Sequence, residues 1–237
     1  MEIKLLKKPK NPIIVEGFPG FGLIGTIATE FLIDHLETKL IGKIWLEDIP
    51  AMIAIHDGKV VEPLGIFYNK KYNLVIIHGI TAVTGIEWPI AEAIVKISKE
   101  LGAKEVICLE GVGSATYDND KSKIFYYSSS EQSKKKFQKI GVKMLKEGII
   151  MGVTGALLVK AEGLTTTCVF AETHSNLPDS NAAAEVIKTL DSYLGLKVDF
   201  KPLFKQAKKF EEKLKGLVEQ GAKATEMAEK KKLTYVG

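Results

Sequence analysis

The chain contains no arginine, so all 33 of its basic residues are lysine. Guanidinium is the planar fork that grips carboxylates, phosphates and guanine edges through paired hydrogen bonds, whereas an ammonium group is a point charge. The absence weighs against base-specific recognition and phosphoryl chemistry, and no nucleic-acid partner is expected. Cysteine is almost as scarce. Cys108 and Cys168 sit in apolar runs, Ile107-Cys108-Leu109 and Thr167-Cys168-Val169, without CxxC spacing. They read as buried thiols rather than ligands or a disulfide, which suits a reducing cytoplasm. Neither a charged-then-apolar leader nor a run of about 18 apolar residues is present, so secretion and membrane spanning are not expected. The Gly-x-Ser-x-Gly elbow of hydrolases is missing too, and Ser114 reads as a cap or turn residue.

What is present is apolar residue, 46% of 237, enough for a real core, and a mild net charge of +4. Gly20-Phe21-Gly22-Leu23-Ile24-Gly25 spells GxGxxG between an apolar strand, Ile13-Ile14-Val15, and a helical run. In a dinucleotide fingerprint the first glycine closes the strand and an acid about 20 residues on holds a ribose. Here Glu16, Gly17, Phe18 and Pro19 intervene, Phe21 is bulky, and only Glu47 and Asp48 stand at suitable range. Asp57-Gly58 next marks a tight hairpin where a dinucleotide half would cross over through a helix. The glycines are therefore expected to permit a turn and close helix-sheet packing, with no cofactor.

A helix is expected over 23–36, then strands over 40–46, 64–68 and 74–77, a helix over 86–101, and strands over 106–109 and 168–170. Fully apolar strands separated by helices imply a parallel sheet covered on both faces. Residues 114–136 read as a polar surface excursion carrying one strand, Ile124 to Tyr127, and a solvated Lys134-Lys135-Lys136 patch. Beyond residue 200 the pattern changes. Leu203, Ala207, Phe210, Leu214, Leu217, Gly221, Ala224 and Ala228 follow heptad spacing, with lysine and glutamate between them. The division expected is an α/β/α domain over 1–199 and a helix with a flexible tail over 200–237. The seam is covered either by the parent domain or by another subunit, with Phe204, Phe210 and Leu214 as the candidate oligomer contacts.

Several apolar strands end in an ionisable residue: Val15-Glu16-Gly17, Ile77-His78-Gly79, Leu109-Glu110-Gly111 and Ala171-Glu172-Thr173-His174. The carboxyl ends of strands in an open α/β sheet share one rim, where ligands bind. Glu16, His78, Glu110, Glu172 and His174 are thus candidates for a single cleft able to act as general acid and base, hold a metal, or grip a ribose. The competing expectation is that they cap free backbone amides beside tight glycine turns. No nucleophile or phosphate-binding arginine stands beside them, so no catalytic residue is assigned.

Three stretches together carry a resemblance: Gly17-Phe18-Pro19-Gly20 through Gly25; Gly152-Val153-Thr154-Gly155-Ala156-Leu157-Leu158 with Ala171-Glu172-Thr173-His174; and Pro178-Asp179 with Ala182-Ala183-Ala184, ahead of a helix ending near Leu194-Gly195-Leu196. With Val198-Asp199 and the terminal helix, the chain resembles the proteasome assembly chaperone family, that of the second chaperone subunit and its archaeal homologues. The resemblance implies a three-layer α/β/α fold similar to nucleoside phosphorylases, without an established activity of that kind. It also implies a cytoplasmic homo-oligomer that helps assemble or engage the proteasome α-ring. In such proteins a C-terminal hydrophobic-Tyr-any tripeptide enters pockets between α subunits. Here the corresponding residues are Leu233, Tyr235, Val236 and Gly237, with Thr234 before the tyrosine and two residues after it. Contact with α subunits is expected directly, in a shifted register, or through another family member. The alternative function is an enzyme of nucleoside or nucleotide chemistry using the strand-end carboxylates.

Overall fold

The computed structural model describes residues 1–46, 54–56, 59–80, 84–113, 122–173 and 178–202. The apolar runs Ile13–Gly17 (β2), Leu74–Gly79 (β7), Glu105–Gly113 (β8) and Thr166–Thr173 (β11) form the parallel centre of a nine-stranded sheet. Buried on both faces, they have no need of a polar side, which is why they are apolar throughout. Antiparallel neighbours complete the sheet. On one flank stand Leu64–Asn69 (β6), Lys39–Trp45 (β3) and Glu2–Leu5 (β1). On the other, Ile124–Ser128 (β9) runs antiparallel to β11 and pairs in parallel with the short Lys143–Met144 (β10). The order is β1-β3-β6-β7-β2-β8-β11-β9-β10. The sheet is therefore mixed, with four parallel strands, β7-β2-β8-β11, at its centre and one further parallel pair, β9-β10, at its edge.

Ala54–His56 (β4) and Lys59–Val61 (β5) pair as a separate antiparallel hairpin, where Asp57-Gly58 predicted one. The two turn residues lie outside the described residues.

Ile24–His35 (α1) and Ser180–Leu194 (α5) cover one face of the sheet, and Glu87–Leu101 (α2) with Gly152–Lys160 (α4) cover the other. Strand alternation divides the core accordingly. Val15, Ile76, Leu109 and Val169 pack under α1 and α5; Ile14, Ile77, Cys108, Cys168 and Phe170 pack under α2 and α4. Cys108 and Cys168 are buried, unbridged, and directly opposite each other in the β8–β11 register.

Gly102 and Gly195 end α2 and α5 in the left-handed conformation, the usual glycine stop. Asp179 caps α5 by accepting from the Ala182 amide at 2.9 Å. Two helices were not foreseen: α4, and Glu131–Lys139 (α3), which occupies the supposed polar excursion. The start of α3 is fixed by Ser130, whose hydroxyl accepts from the Ser133 amide at 3.3 Å. Its single apolar anchor, Phe137, stacks between Tyr126 and Tyr193, with ring centroids 4.7 and 4.3 Å away. One buried aromatic among lysines leaves almost no periodic signal, although it is enough to dock a short helix.

Candidate functional site

The glycine loop after β2 is shaped by contact with protein backbone. A Cβ on Gly17 would stand 2.1 Å from the Gly25 carbonyl oxygen, and one on Gly25 would stand 2.3 Å from the Leu109 carbonyl oxygen. Strand β2, helix α1 and strand β8 are thereby pressed together without side chains between them. Gly22 and Leu23 both have positive φ, 65° and 50°, and turn the loop into α1. The Gly22 carbonyl accepts from the Asp179 amide at 2.8 Å, tying this turn to the start of α5. At Gly20 the neighbour is a side chain: a Cβ there would lie 2.2 Å from Glu110 Oε1. The loop at Gly20 thus lies directly against the Glu110 carboxyl group.

Glu16 and Glu110 lie on the sheet face covered by α4. Glu16 pairs in register with Cys108, and Glu110 is two residues further along β8, on the same side. Thr154 of α4 reaches both, its Oγ1 standing 3.4 Å from Glu16 Oε1 and 3.2 Å from Glu110 Oε2. Glu16 and Thr154 are each only 1% exposed, whereas Glu110 keeps an edge toward an opening. Glu110 Oε1 also accepts from the Gly111 amide at 3.1 Å. Burial makes ionisation costly, pushing Glu16 from 4.5 to about 7 against hydrogen bonds from Cys108 and Thr154 that favour its charge. Glu110 is pushed up to about 8 by burial and then by the neighbouring Glu16 charge. Near neutrality the pair therefore holds at least one proton, shared between coupled groups.

Beyond Glu110 a cavity of about 260 Å³ opens between the Pro19–Phe21 loop, the end of β8, and the Ile149–Gly152 segment leading into α4. It lies at the carboxyl ends of β2 and β8, where the chain switches direction across the sheet, the usual crevice of such folds. Apart from Glu110 its walls are apolar or backbone. Ile149 is 89% exposed and Met151 63%.

The other strand-end candidates lie elsewhere. His78 follows Ile77 on β7 and so faces α1, with Nδ1 2.8 Å from Thr29 Oγ1. Its Nε2 is 2.9 Å from Glu30 Oε2, at an angle that does not make a hydrogen bond. Glu172 shares the face of Glu110 but pairs with Lys123 of the β9 edge at 3.4 Å. Of the candidates, Glu16 and Glu110 are brought together, His78 is on the opposite face, and Glu172 is paired apart from them. His174 lies outside the described residues, as do Phe204, Phe210, Leu214, Leu233, Tyr235, Val236 and Gly237. Thr154 was missed as a site residue. Its signal was a hydroxyl inside an apolar helix, with Val153, Ala156 and Leu157 packed into the core around it.

The arrangement can store and exchange a proton. Among the described residues no group of three or more His, Cys, Asp or Glu is placed to hold a metal ion, and no helix is long and apolar enough to cross a membrane.

The fold has close counterparts. PbaA of Pyrococcus furiosus, described as an archaeal homologue of proteasome-assembly chaperone, is 36% identical and superposes with a TM-score of 0.84, over 94% of this chain and 99% of that one. PbaB of the same organism, described as an archaeal proteasome activator, is 24% identical with a TM-score of 0.75, over 91% of this chain and 98% of that one. An uncharacterized protein of Methanocaldococcus jannaschii is 28% identical over 240 residues, 99% of this chain and 98% of its own length. The PAC2 family, one of proteasome-assembly chaperones and not of enzymes, matches residues 14–218. The nucleoside-chemistry alternative is set aside on that ground. With a match over most of its length and a near end-to-end likeness to PbaA, the chain belongs to the PAC2 family.

Proposed function

We propose that the protein is a non-enzymatic proteasome assembly chaperone that works as a cytoplasmic homo-oligomer and engages the proteasome α-ring, directly or through another family member. The observation that carries the reading is the likeness to PbaA, which extends over 94% of the chain at 36% identity. Surface chemistry supports a binding role. Ile149 and Met151 just ahead of α4, Val159 near its end, and Trp88 of α2, whose ring lies beside Lys160, are 89%, 63%, 71% and 51% exposed. Large apolar groups left in water around α4 are compatible with a surface that contacts another protein.

In this reading the segment 200–237 is an appendage to the α/β/α domain. Phe204, Phe210 and Leu214 contribute to contacts between subunits, and Leu233, Tyr235, Val236 and Gly237 contact α subunits. An aromatic anchor in a small docking site is commonly worth about 2 kcal/mol or more, roughly 30-fold in affinity. Tyr235→Ala is therefore expected to weaken binding to immobilised α-rings about 30-fold in surface plasmon resonance, while the oligomer's mass by light scattering stays the same. Unchanged affinity would move recognition to the globular body, and no binding by either form would point to a mediating partner.

A further inference from the structure

The pair of carboxyls beside the cavity has no role in the proposed function, yet its geometry is unusual. Glu16 and Glu110 come from adjacent parallel strands, and one hydroxyl from a covering helix lies within 3.4 Å of both. Thr154 carries a single hydroxyl proton, so it donates to one carboxyl at a time. The bridge is complete only while the pair retains a proton of its own.

The surroundings do not offset a second negative charge. Strand β8 presents the Cys108 thiol, which is pushed up by Cys168 and by burial, and β11 presents Cys168 itself. Further along β11, Glu172 is already engaged by Lys123. Helix α4 has one cation, Lys160, which pairs with Glu92 of α2. The remaining charged residues of α2 are Glu87, Lys96, Lys99 and Glu100, and Glu100 pairs with Lys8 at 2.7 Å. Glu147 and Lys146, ahead of the cavity wall, are exposed, and the Pro19–Phe21 loop and Ile149–Gly152 carry no charge. On the neighbouring β7 the ionisable group is His78, which faces α1 and Glu30. Among the described residues, none of these cations contributes to the setting of Glu16 or Glu110.

We propose that Glu16, Thr154 and Glu110 form a proton-operated latch. With a proton on the pair, α4 and the Ile149–Gly152 wall are held against the sheet; opening exposes both carboxyls to water, where they ionise and the closed state is lost. Because opening releases protons, its equilibrium constant rises about tenfold per pH unit for each proton released, until the closed pair itself ionises near pH 8. The element that moves carries the apolar rim, Ile149 and Met151, and one wall of the cavity. A rise in pH would thus loosen the entrance without unfolding the opposite layer, whatever the protein binds.

Amide hydrogen exchange on the full chain, read as protection factors corrected for intrinsic rates, tests the latch by comparing α4 with α5. In the parent protein, protection of α4 should fall at least about tenfold per pH unit between about pH 6 and 7.5, with little dependence on dilute urea. Helix α5 should stay better protected and show the full urea dependence of global unfolding. In Glu16→Gln/Glu110→Gln, α4 protection should be nearly independent of pH. Should that variant fail to fold, Glu110→Gln alone should flatten the dependence above about pH 7, where Glu16 has ionised. The proposal is overturned by an equal pH slope in parent and variant or by no slope in the parent. It is equally overturned if α4 and α5 exchange at one rate with one urea dependence.

Discussion

Gly25→Ala is expected to destabilise the fold by about 3 kcal/mol or more, although alanine is the better helix former. The added methyl would meet the Leu109 carbonyl oxygen at 2.3 Å and crowd Gly17 Cα at 3.1 Å. Both neighbours are backbone, Leu109 held in the β8–β11 ladder and Gly17 in the β2–β7 ladder, and neither can rotate away. Room could come only from moving α1 off the sheet, which would uncover Ile24, Ile27 and Ala28, now fully buried. Gly113→Ala is the matched control. Its Cβ would meet nothing within 4 Å and its φ is not positive, so its effect should stay within about 0.5 kcal/mol. Urea unfolding of the two variants beside the parent checks the prediction, and equal midpoints would show that the glycine contact is not what seats α1.

The second large effect is on pH. The folded chain keeps protons on Glu16 and Glu110 that the unfolded chain gives up near 4.5. In the span where the native state binds more protons, stability falls as pH rises. The pair therefore leaves stability at its full value below about 4.5, removes it progressively up to about 8, and changes little above that. Each tenfold displacement of a protonation equilibrium is worth about 1.4 kcal/mol, so a total of about 3 kcal/mol or more is expected even after discounting for coupling and for the exposed edge of Glu110. Glutamine keeps the shape of a protonated carboxyl and cannot ionise. Glu16→Gln/Glu110→Gln should accordingly be more stable than the parent at about pH 8 and lose that advantage at about pH 4.5, as read by urea unfolding at both values. Parallel stability curves for parent and variant would show that the carboxyls titrate normally in the native state.

The parts of this structure that were legible in the sequence are those written in local pattern. Apolar runs such as Leu74-Val75-Ile76-Ile77 gave the central parallel strands, Asp57-Gly58 gave the hairpin, and the helical pattern over 86–101 gave α2. The acids at the ends of β2 and β8 were legible for the same reason, since each interrupts an apolar run just before a glycine. Their relation to each other depends on register, which pairs Glu16 with Cys108 and sets Glu110 two residues on. That same register turns His78 to the other face, because Ile77 is the residue beside Glu16. A strand's two faces alternate at every residue, so a list of strand-end residues does not distinguish them. Thr154 lies 138 positions from Glu16 and 44 from Glu110 along the chain, so its contact with the pair leaves no local trace. Helix α3 was missed because its only buried apolar residue is Phe137, stacked on rings contributed by β9 and α5.

Native mass spectrometry of the purified chain, alone and mixed with proteasome α subunits from the same source, tests the proposed function most directly. The expected spectrum shows a homo-oligomer at a multiple of the 26.0 kDa chain mass, and a further species in which that oligomer is joined to α subunits. A 26.0 kDa monomer that forms no complex with α subunits, with or without other family members added, would contradict it.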